Sequence, residues 1–525
     1  MGIDLKDNAL LKRRSAGVLL PLSAMRGTTD WGCGDMSSFK EWINYLGGEG
    51  VKMLQILPIR ETAPMENCPY SALSAYAIDP VYISIEDVPE VQACQEAQDI
   101  INLSREEINH WRGEKTVPFK YIKTAKYKVL WAAYEHFVHS EQELDTPRYK
   151  DFLAFQQKHN AWLVPYTIFR TAKDLTGWSS WKHWEGAFKN IDVDFLKDFA
   201  QRNSKQMMFF TWLQWILEEQ IAQVRQTARH AGVLLLGDIP FGVNYDSADV
   251  WANQRRYFLD AEIGAPGDNM AQDGQRWGLP AYNWAEIEAS HFNIWRGKVK
   301  RFCELYDAFR LDHLVGFFRT WVFDERHPKG HYDLEDEAKQ KARGIKFLQA
   351  VVESAGGKLP IGEDLGQIPD YLRELMKEIS LPGYKVLRWE KDNEIFRDPL
   401  KYPTASLATT STHDTSMLKE WWESMPDWQR ANAWEMITGK KTDGKIPFDA
   451  GTRNQILRRV LGGASRMVVL PLQDIIGAGD RINTPGTVNN ENWTYRAPLE
   501  PAQFHTTYGE EMRAFAELIK ETGRG

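Results

Sequence analysis

Cysteine is scarce in this chain of 525 residues and follows no metal-binding or redox spacing. The four cysteines are Cys33, Cys68, Cys94 and Cys303, and no two of them form a CxxC pair. A chain of this length can bury enough apolar surface to fold without the disulfides that small secreted domains require. We therefore expect a reducing compartment, the cytoplasm, and no metal held by cysteine.

Runs of like charge and long uncharged apolar runs are missing too. The formal net charge is −8 at pH 7 and no Lys/Arg-rich run stands out, which argues against nucleic acid and against an anionic membrane surface as partners. Residues 1–15 contain no apolar signal core, and no stretch of membrane-spanning length is free of charge. These features predict a soluble protein with a small, neutral or polar ligand.

Aromatic residues, by contrast, are abundant. The 21 tryptophans and the 12% aromatic content exceed what a core needs, because tryptophan is seldom fully buried and is favoured where a ligand stacks. This composition suggests the flat faces of sugars as ligands without proving them.

Three carboxylates each follow an apolar or β-branched run. In residues 309–321 (FRLDHLVGFFRTW), Arg310 and Asp312 are two positions apart, so on a strand they point to the same face. An isolated pair of this kind favours a structural ion pair, but Glu363 and Asp414 end two later runs in the same way. Three carboxylates at the carboxyl ends of strands are what a sugar-processing barrel needs as nucleophile, proton donor and stabilising group.

The order of the predicted elements favours a barrel. Residues 16–59 read as strand, helix and strand, and residues 233–243 form a continuous apolar run of the kind buried in a parallel sheet, with Asp238 near its end. Residues 467–475 read as the last strand, and little chain follows them. We predict an α/β fold, in which a single catalytic (β/α)8 TIM barrel spans residues 1–525 and no C-terminal β-domain follows.

Three insertions interrupt this predicted barrel. Residues 92–205 are charged and helix-prone and are predicted to form an inserted helical subdomain. Residues 252–284 are rich in Gly, Asp, Asn and aromatics and are predicted to form a loop that acts as a lid at the acceptor side. A smaller polar insertion is predicted at residues 324–342.

Several motifs together carry a family resemblance over roughly Gly17 to Arg496. They are CPYSALSAYAIDP, GDIPFGVNYDSADVWAN, GAPGD followed by GQRWGLPAYNW, FRLDH, GEDLG and STHD. The chain resembles the amylomaltase family, that is, the 4-α-glucanotransferases or disproportionating enzymes related to the α-amylases. The lid motif GQRWG is specific to that family, whereas RxDH alone indicates only the wider group.

The resemblance implies a (β/α)8 barrel and a role for each carboxylate. Asp312 matches the nucleophile, Glu363 the general acid/base and Asp414 the stabiliser of the transition state. The matching substrate-binding residues are Tyr70, which stacks under the donor sugar, Asp238, Arg310, His313 and His413, which contact or orient it, Trp277, which receives the acceptor, and Gln275 and Asp364. The chain departs from the family at CPYS (68–71), where SPYQ is common, and at THDT (412–415), where THDN is frequent.

The chemistry of the residues leads to the same assignment. Arginine beside Asp312 keeps that carboxylate charged for attack, whereas Glu363 needs a pKa raised by burial and by neighbouring anions to act as an acid. Asp364 is a rival acid, but on a strand it faces away from Glu363 and is expected to anchor the loop. His413 is either a core histidine or a donor to a sugar hydroxyl. No third ligand stands at a metal-binding distance in sequence, so neither metal nor cofactor is expected.

Three functions remain open at this point. The first is transfer of maltooligosyl units between α-1,4-glucans, with maltooligosaccharides and glucose as partners. The second is hydrolysis of the same glucans, and the third is glycan binding without catalysis. The three carboxylates argue against the third and the lid against the second. The sequence leaves the oligomeric state open between monomer and homodimer.

Overall fold

A closed barrel of eight parallel strands forms the centre of the computed structural model, which describes residues 2–267 and 274–525. The barrel strands are β1 (Ser15–Leu19), β2 (Met53–Gln55), β3 (Leu234–Ile239), β4 (Ala308–Leu311), β5 (Leu359–Gly362), β6 (Gly383–Val386), β7 (Ser406–Thr409) and β8 (Met467–Pro471). Each strand pairs with the next in the chain, and β8 pairs with β1. The predicted (β/α)8 barrel is thereby confirmed.

The first two barrel strands are short, and a proline follows each of them within a few residues. β1 and β2 are buried throughout, and the N–H of Leu20 still bonds to the carbonyl of Gln55. Pro21 and Pro58 then follow, and a proline has no N–H to continue a ladder. The apolar runs read as strands, residues 16–22 and 51–59, extend beyond these carboxyl ends.

Helices surround the barrel. The main helices that follow barrel strands in the chain are Met36–Gly48, Ser204–Ala231, Asn293–Leu305, Glu337–Ser354, Asp370–Glu378, Ala450–Gly462 and Gly509–Glu521. Other helices outside the β2–β3 connection are Ala9–Lys12, Ala248–Ala252, Trp284–Ala289, Leu418–Ser424, Asp427–Thr438, Leu472–Ile476 and Pro501–Thr507. The long helix before β3 ends at Gly232 with φ of 66°, the left-handed conformation that glycine adopts without strain. Gly232 therefore ends this helix and lets the chain turn into β3.

The connection from β2 to β3 contains a group of further helices. They are Pro89–Ala93, Gln95–Leu103, Arg105–Gly113, Phe119–Phe137, Pro147–Leu175, Gly186–Lys189 and Val193–Arg202. Their helical character agrees with the prediction for residues 92–205, whereas the boundaries of a subdomain stay a prediction. In the described part of the chain, no helix combines the length and apolarity needed to cross a membrane.

A second sheet, which we call the outer sheet, stands beside the barrel. Its antiparallel strands are Tyr257–Ala265, Gln275–Tyr282, Trp321–Phe323 and His331–Tyr332. A separate two-stranded hairpin joins Lys391–Asp392 to Ile395–Phe396.

The outer sheet corrects the loop predicted at residues 252–284. Most of this segment is strand, and its two strands pair antiparallel with each other. Residues 268–273, which belong to the predicted lid, lie outside the described residues. A Cβ on Gly264 would lie 1.9 Å from the carbonyl oxygen of Gln275, so this glycine permits close strand contact rather than motion. Helix Glu337–Ser354 begins within the segment 324–342, whose boundaries as an insertion stay a prediction.

Candidate active site

A cleft of about 690 Å³ opens at the carboxyl end of the barrel. Its lining includes nine of the eleven predicted site residues, namely Tyr70, Gln275, Trp277, Arg310, Asp312, His313, Glu363, His413 and Asp414. The structure therefore brings together residues that lie as far apart in the sequence as 70 and 414. The carboxyl end of the strands is where parallel barrels place their reactive groups, because the βα loops meet there.

Arg310 lies at the centre of the carboxylates. Its Nη1 is 2.9 Å from Oδ1 of Asp312 and 2.8 Å from Oδ2 of Asp238, and its Nη2 is 3.7 Å from Oε2 of Glu363. The predicted side-by-side placement of Arg310 and Asp312 is thus present. Burial alone would lower the pKa of the guanidinium, but the surrounding anions outweigh it and raise that pKa well above its usual value. Arg310 is accordingly a fixed positive charge beside the reacting groups.

Glu363 follows β5 directly and is the carboxyl with the properties of an acid. Burial, chiefly, raises its pKa to about 7; the charge of Asp312 adds to this effect and Arg310 opposes it. The backbone N–H of His313 donates to its Oε2 at 2.6 Å and holds it in place. A carboxyl with this pKa is protonated in part near neutrality and can both give and take a proton.

Asp312 follows β4, and a tight turn follows it. Its side chain is 25% exposed, and its Oδ2 accepts from the N–H of Phe241 at 3.3 Å. His313 has φ of 47°, a left-handed conformation uncommon for residues other than glycine. Burial lowers the pKa of the His313 imidazole to about 4, although Asp312 opposes this effect, so the ring is neutral at pH 7. The turn therefore points the carboxylate into the cleft beside an uncharged imidazole.

Asp414 lies five residues beyond β7 and stays ionised through its neighbours. Burial would raise its pKa, but His413, Asn483 and Arg310 together lower it to about 2. Nδ2 of Asn483 donates to Oδ1 at 2.7 Å, and Nε2 of His413 is 3.3 Å from Oδ2. Burial lowers the pKa of His413, yet the charge of Asp414 and their hydrogen bond raise it overall. His413 is therefore a partner of the carboxylate and not an isolated core histidine.

Tyr70 connects two of these groups. Its hydroxyl donates to Oδ2 of Asp238 at 2.9 Å and lies 3.1 Å from Nε2 of His413. Its ring stacks on His413 with centroids 5.6 Å apart and contacts Trp493 at 5.5 Å. Part of the aromatic surface predicted for a sugar is therefore used to position protein groups.

Gln275 and Trp277 are two positions apart on one strand of the outer sheet and share a face toward the cleft. The Trp277 ring meets His313 edge-on, with centroids 4.9 Å apart, and its Nε1 lies 3.5 Å from Oε1 of Gln275. The indole is partly exposed. Its free surface therefore faces the same cleft as Asp312.

Asp364 and Asp238 are the two predicted site residues that do not line the cleft. The carboxylate of Asp364 is buried and accepts from the backbone N–H of Tyr384 at 2.7 Å, with Nζ of Lys385 at 3.4 Å. This is the predicted loop anchor, and its placement does not support direct substrate binding. Asp238 is also buried and reaches the cleft only through Arg310 and Tyr70.

Other residues of the cleft were missed by sequence reasoning. They are Gln55, Trp321, Tyr332, Tyr384, Trp389, Asn483 and Trp493. Gln55 ends β2, so the rule that strand ends carry function could have found it, whereas Tyr384 lies inside β6. Asn483 and Trp493 lie in an irregular loop and gave no periodic signal.

The fold and site together define a class of protein. A parallel barrel that gathers three carboxylates and a buried arginine at its carboxyl end, with an acid of raised pKa beside an ionised neighbour, is a barrel enzyme equipped for glycoside chemistry. Comparison with known proteins gives the family. The model of the 4-alpha-glucanotransferase family matches residues 20–500, and the chain belongs to this family.

Individual relatives agree along most of their length. The 4-alpha-glucanotransferase of Chlamydia muridarum (strain MoPn / Nigg) is 29% identical over 501 residues, which cover 91% of this chain and 90% of that protein. The 4-alpha-glucanotransferase of Synechocystis sp. is 27% identical over 528 residues, covering 97% and 98%. An amylomaltase from Streptococcus agalactiae, solved in complex with acarbose, has a TM-score of 0.84 and 23% identity, covering 98% of this chain and all of that one. The last likeness shows the shared fold.

Proposed function

We propose that this protein transfers maltooligosyl units between α-1,4-glucans by a retaining double displacement. The observation that carries the proposal is the pair of unlike carboxyls around Arg310. Asp312 lies 2.9 Å from the guanidinium, whereas Glu363 lies 3.7 Å from it and has a pKa raised to about 7. One environment suits a nucleophile and the other suits an acid/base, which is the division of roles that retention requires.

The first displacement breaks the glycosidic bond of the donor. A carboxylate oxygen of Asp312 attacks the anomeric carbon, while Glu363 gives its proton to the departing glycosidic oxygen. The donor's reducing-end fragment leaves as an alcohol, and the remaining sugar is bound to Asp312 as an ester. The ionised Asp414 stabilises the positive charge that the ring develops in between, because its low pKa keeps it an anion.

The second displacement restores the enzyme. Glu363, now a carboxylate, removes the proton from the 4-hydroxyl of an acceptor sugar, and that oxygen attacks the same anomeric carbon from the face that the first fragment left. The bond to Asp312 breaks, so two inversions retain the α configuration. Glucose and maltooligosaccharides are the acceptors that fit this step, and the names of the relatives support the assignment.

The outer sheet is the side of the cleft that we assign to the acceptor. Trp277 and Gln275 present an aromatic face and an amide there, next to His313. A sugar held on this face takes the place of water at the intermediate, which favours transfer over hydrolysis. The scarcity of cysteine supports a cytoplasmic location for the activity, and cell fractionation with an antibody tests it.

Incubation with maltotriose tests the proposal. Transfer yields a ladder of longer oligosaccharides together with free glucose, with no net gain in reducing ends. Hydrolysis instead raises the number of reducing ends, and unchanged maltotriose indicates binding alone. Either of these two results contradicts the proposal.

A further inference from the structure

The turn between the two short strands of the outer sheet brings together three groups that ligate metals. Asp324 follows the strand Trp321–Phe323, His331 begins the strand His331–Tyr332, and His327 lies in the turn. Their ligating atoms all lie within 4.8 Å of one another. None of them has a part in the chemistry proposed above.

The strand register fixes which way these groups point. Trp321 pairs with Tyr332, and both line the cleft. Val322 pairs with His331, so the alternation of side chains places His331 on the opposite face, and Asp324 shares that face because it is two positions after Val322. The two ligands therefore meet on the side of the outer sheet that faces away from the cleft.

The carboxylate is held in place by the backbone of the turn. Oδ1 of Asp324 accepts from the N–H of Arg326 at 2.8 Å and from the N–H of His327 at 2.7 Å. Nδ1 of His327 lies 3.0 Å from Oδ1 and 3.3 Å from Oδ2, and Oδ2 also lies 4.0 Å from Nε2 of His331. The carboxylate is thus an oriented ligand and not a freely rotating surface group.

The distances suit a cation between the three atoms. Zinc lies about 2.0 to 2.2 Å from imidazole nitrogen and carboxylate oxygen, so tetrahedral ligands of one ion are about 3.3 to 3.6 Å apart. Nδ1 of His327 meets this distance from Oδ2, and His331 needs a small side-chain rotation. Nε2 of His331 and Oδ2 of Asp324 are 4.0 Å apart, which is too long for a direct hydrogen bond. Within the described residues, no hydrogen bond therefore joins His331 to Asp324. The two imidazole rings pack against each other, with centroids 3.9 Å apart, so they occupy the same small region of the turn.

A second cluster of histidine and carboxylate side chains differs from this turn because an arginine already neutralises it. His159, Glu218 and Glu304 also lie within reach of one another. There, however, Nη1 of Arg301 contacts both glutamates, at 2.8 and 2.9 Å. A guanidinium already occupies the position of a cation in that cluster, whereas in the turn no arginine or lysine of the described chain forms an ion pair with Asp324.

We propose that Asp324, His327 and His331 form a binding site for a divalent transition-metal ion such as Zn²⁺. Two imidazoles and one carboxylate select such ions over Ca²⁺ and Mg²⁺, which prefer oxygen ligands. The half-exposed turn leaves the fourth position to water. The bound ion joins the two ends of the turn and so fixes the strands that carry Trp321 and Tyr332.

The site is also connected to the strand of Trp277. Nη2 of Arg276 donates to the carbonyl of Pro328, within the metal-binding turn, at 2.8 Å. The guanidinium of Arg276 also lies over the Phe323 ring, 4.4 Å from its centroid. An ion that orders this turn therefore also orders the contact of Arg276, the neighbour of Trp277.

Calorimetric titration of the full chain, free of any histidine tag and treated with chelator, tests the proposal with ZnCl₂ as the probe. The test variant is His327→Ala with His331→Ala, which leaves Asp324 to hold the turn. The matched control is His110→Ala with His139→Ala, which removes two exposed imidazoles that each face a glutamate four residues on. We expect one Zn²⁺ per chain at micromolar affinity or tighter in the native and control proteins, and about a tenfold or greater loss in the test variant.

Two further measurements make the result specific. Co²⁺ bound in the site should show visible ligand-field absorption that is absent from the test variant, and Mg²⁺ should give no binding heat. Circular dichroism of the test variant should match the native protein. Equal Zn²⁺ affinity in the test variant and the control would overturn the proposal, and so would the lack of micromolar binding by the native chain.

Discussion

Arg310 makes the two reacting carboxyls unlike at the scale of single residues. It contacts Asp312 closely and Glu363 at a longer distance, so its charge acts more strongly on the nucleophile than on the acid. Burial then dominates at Glu363 and raises its pKa. One guanidinium, placed unequally, thereby assigns two roles to two chemically similar side chains.

We predict that Glu363→Gln retains the fold and glucan affinity but loses about 100-fold or more of its activity, the usual contribution of a general acid/base. Asp312→Asn should lose the covalent intermediate altogether. An α-maltosyl fluoride donor separates the roles, because fluoride leaves without protonation. Glu363→Gln should release a burst of fluoride and accumulate the ester, seen by mass spectrometry, whereas Asp312→Asn should not. Near-normal turnover of maltotriose by either variant would remove the assignment.

Asp414 is predicted to act mainly in the transition state. Asp414→Asn should lower kcat and kcat/KM together by about 100-fold, as for the loss of a group that stabilises developing charge. Steady-state kinetics with maltotriose measure both parameters. A change confined to KM would instead make Asp414 an ordinary binding residue.

The pKa of Glu363 predicts the pH dependence. Burial, above all, raises this pKa to about 7, and the free enzyme needs the protonated form to donate. We therefore expect kcat/KM to be full at acidic pH and to fall as the pH rises through about 7, while Asp414, with a pKa of about 2, stays ionised throughout. The same alkaline decline with the fluoride donor would assign it to another group.

At the scale of elements, the outer sheet gives Trp277 its position. We predict that Trp277→Ala lowers the ratio of transfer to hydrolysis by about tenfold, since stacking on an aromatic ring is worth roughly 1 to 3 kcal/mol by analogy with nucleobases. The ratio follows from glucose and reducing ends released from maltotriose. Phe258→Ala is the matched control, because this ring lies on the same hairpin, is 49% exposed and does not line the cleft.

A structural role for Trp277 would give a different result. If Trp277→Ala lowers both rates equally and reduces the melting temperature, the indole serves to fix the outer sheet to the barrel through His313. The control variant should change neither the ratio nor the melting temperature. Acceptor recognition would then have to be assigned to other residues of the cleft.

The same elements show how far a sequence can predict this molecule. Asp312 and Glu363 directly follow apolar strands, and the period of two on a strand placed Arg310 beside Asp312, so local rules were sufficient. The hairpin of the outer sheet was predicted as a loop, because glycines interrupt the pattern of its strands and because one of them also pairs with the distant strand Trp321–Phe323. Asn483 and Trp493 lie near Asp414 only through the closed barrel, a long-range relation that no local pattern contains.

At the scale of the whole molecule, closure of the barrel brings β1 and β8 together, and Arg524 lies where they meet. Its side chain is completely buried. It donates to the carbonyl of Ser15, the first residue of β1, at 3.3 Å. It also donates to the carbonyls of Arg466 at 3.0 Å and Ser465 at 2.8 Å, which precede β8, and to those of Leu461 and Gly463. Burial lowers the pKa of this guanidinium to about 9, and Arg14 and Arg466 add to the effect. The group nonetheless satisfies backbone acceptors from both edges of the closure.

We predict that Arg524→Ala weakens the closure and leaves the active site unchanged. The variant leaves buried backbone carbonyls without a donor, although it also removes a buried charge. On balance the free energy of unfolding should fall by about 2 to 4 kcal/mol. Urea unfolding measures this loss, and kcat/KM at low temperature should stay native. Arg458→Ala is the control, since its pair with Glu521 is 44% and 53% exposed and should be worth less than about 1 kcal/mol. Equal losses in the two variants would mean that Arg524 does not hold the first and last strands together.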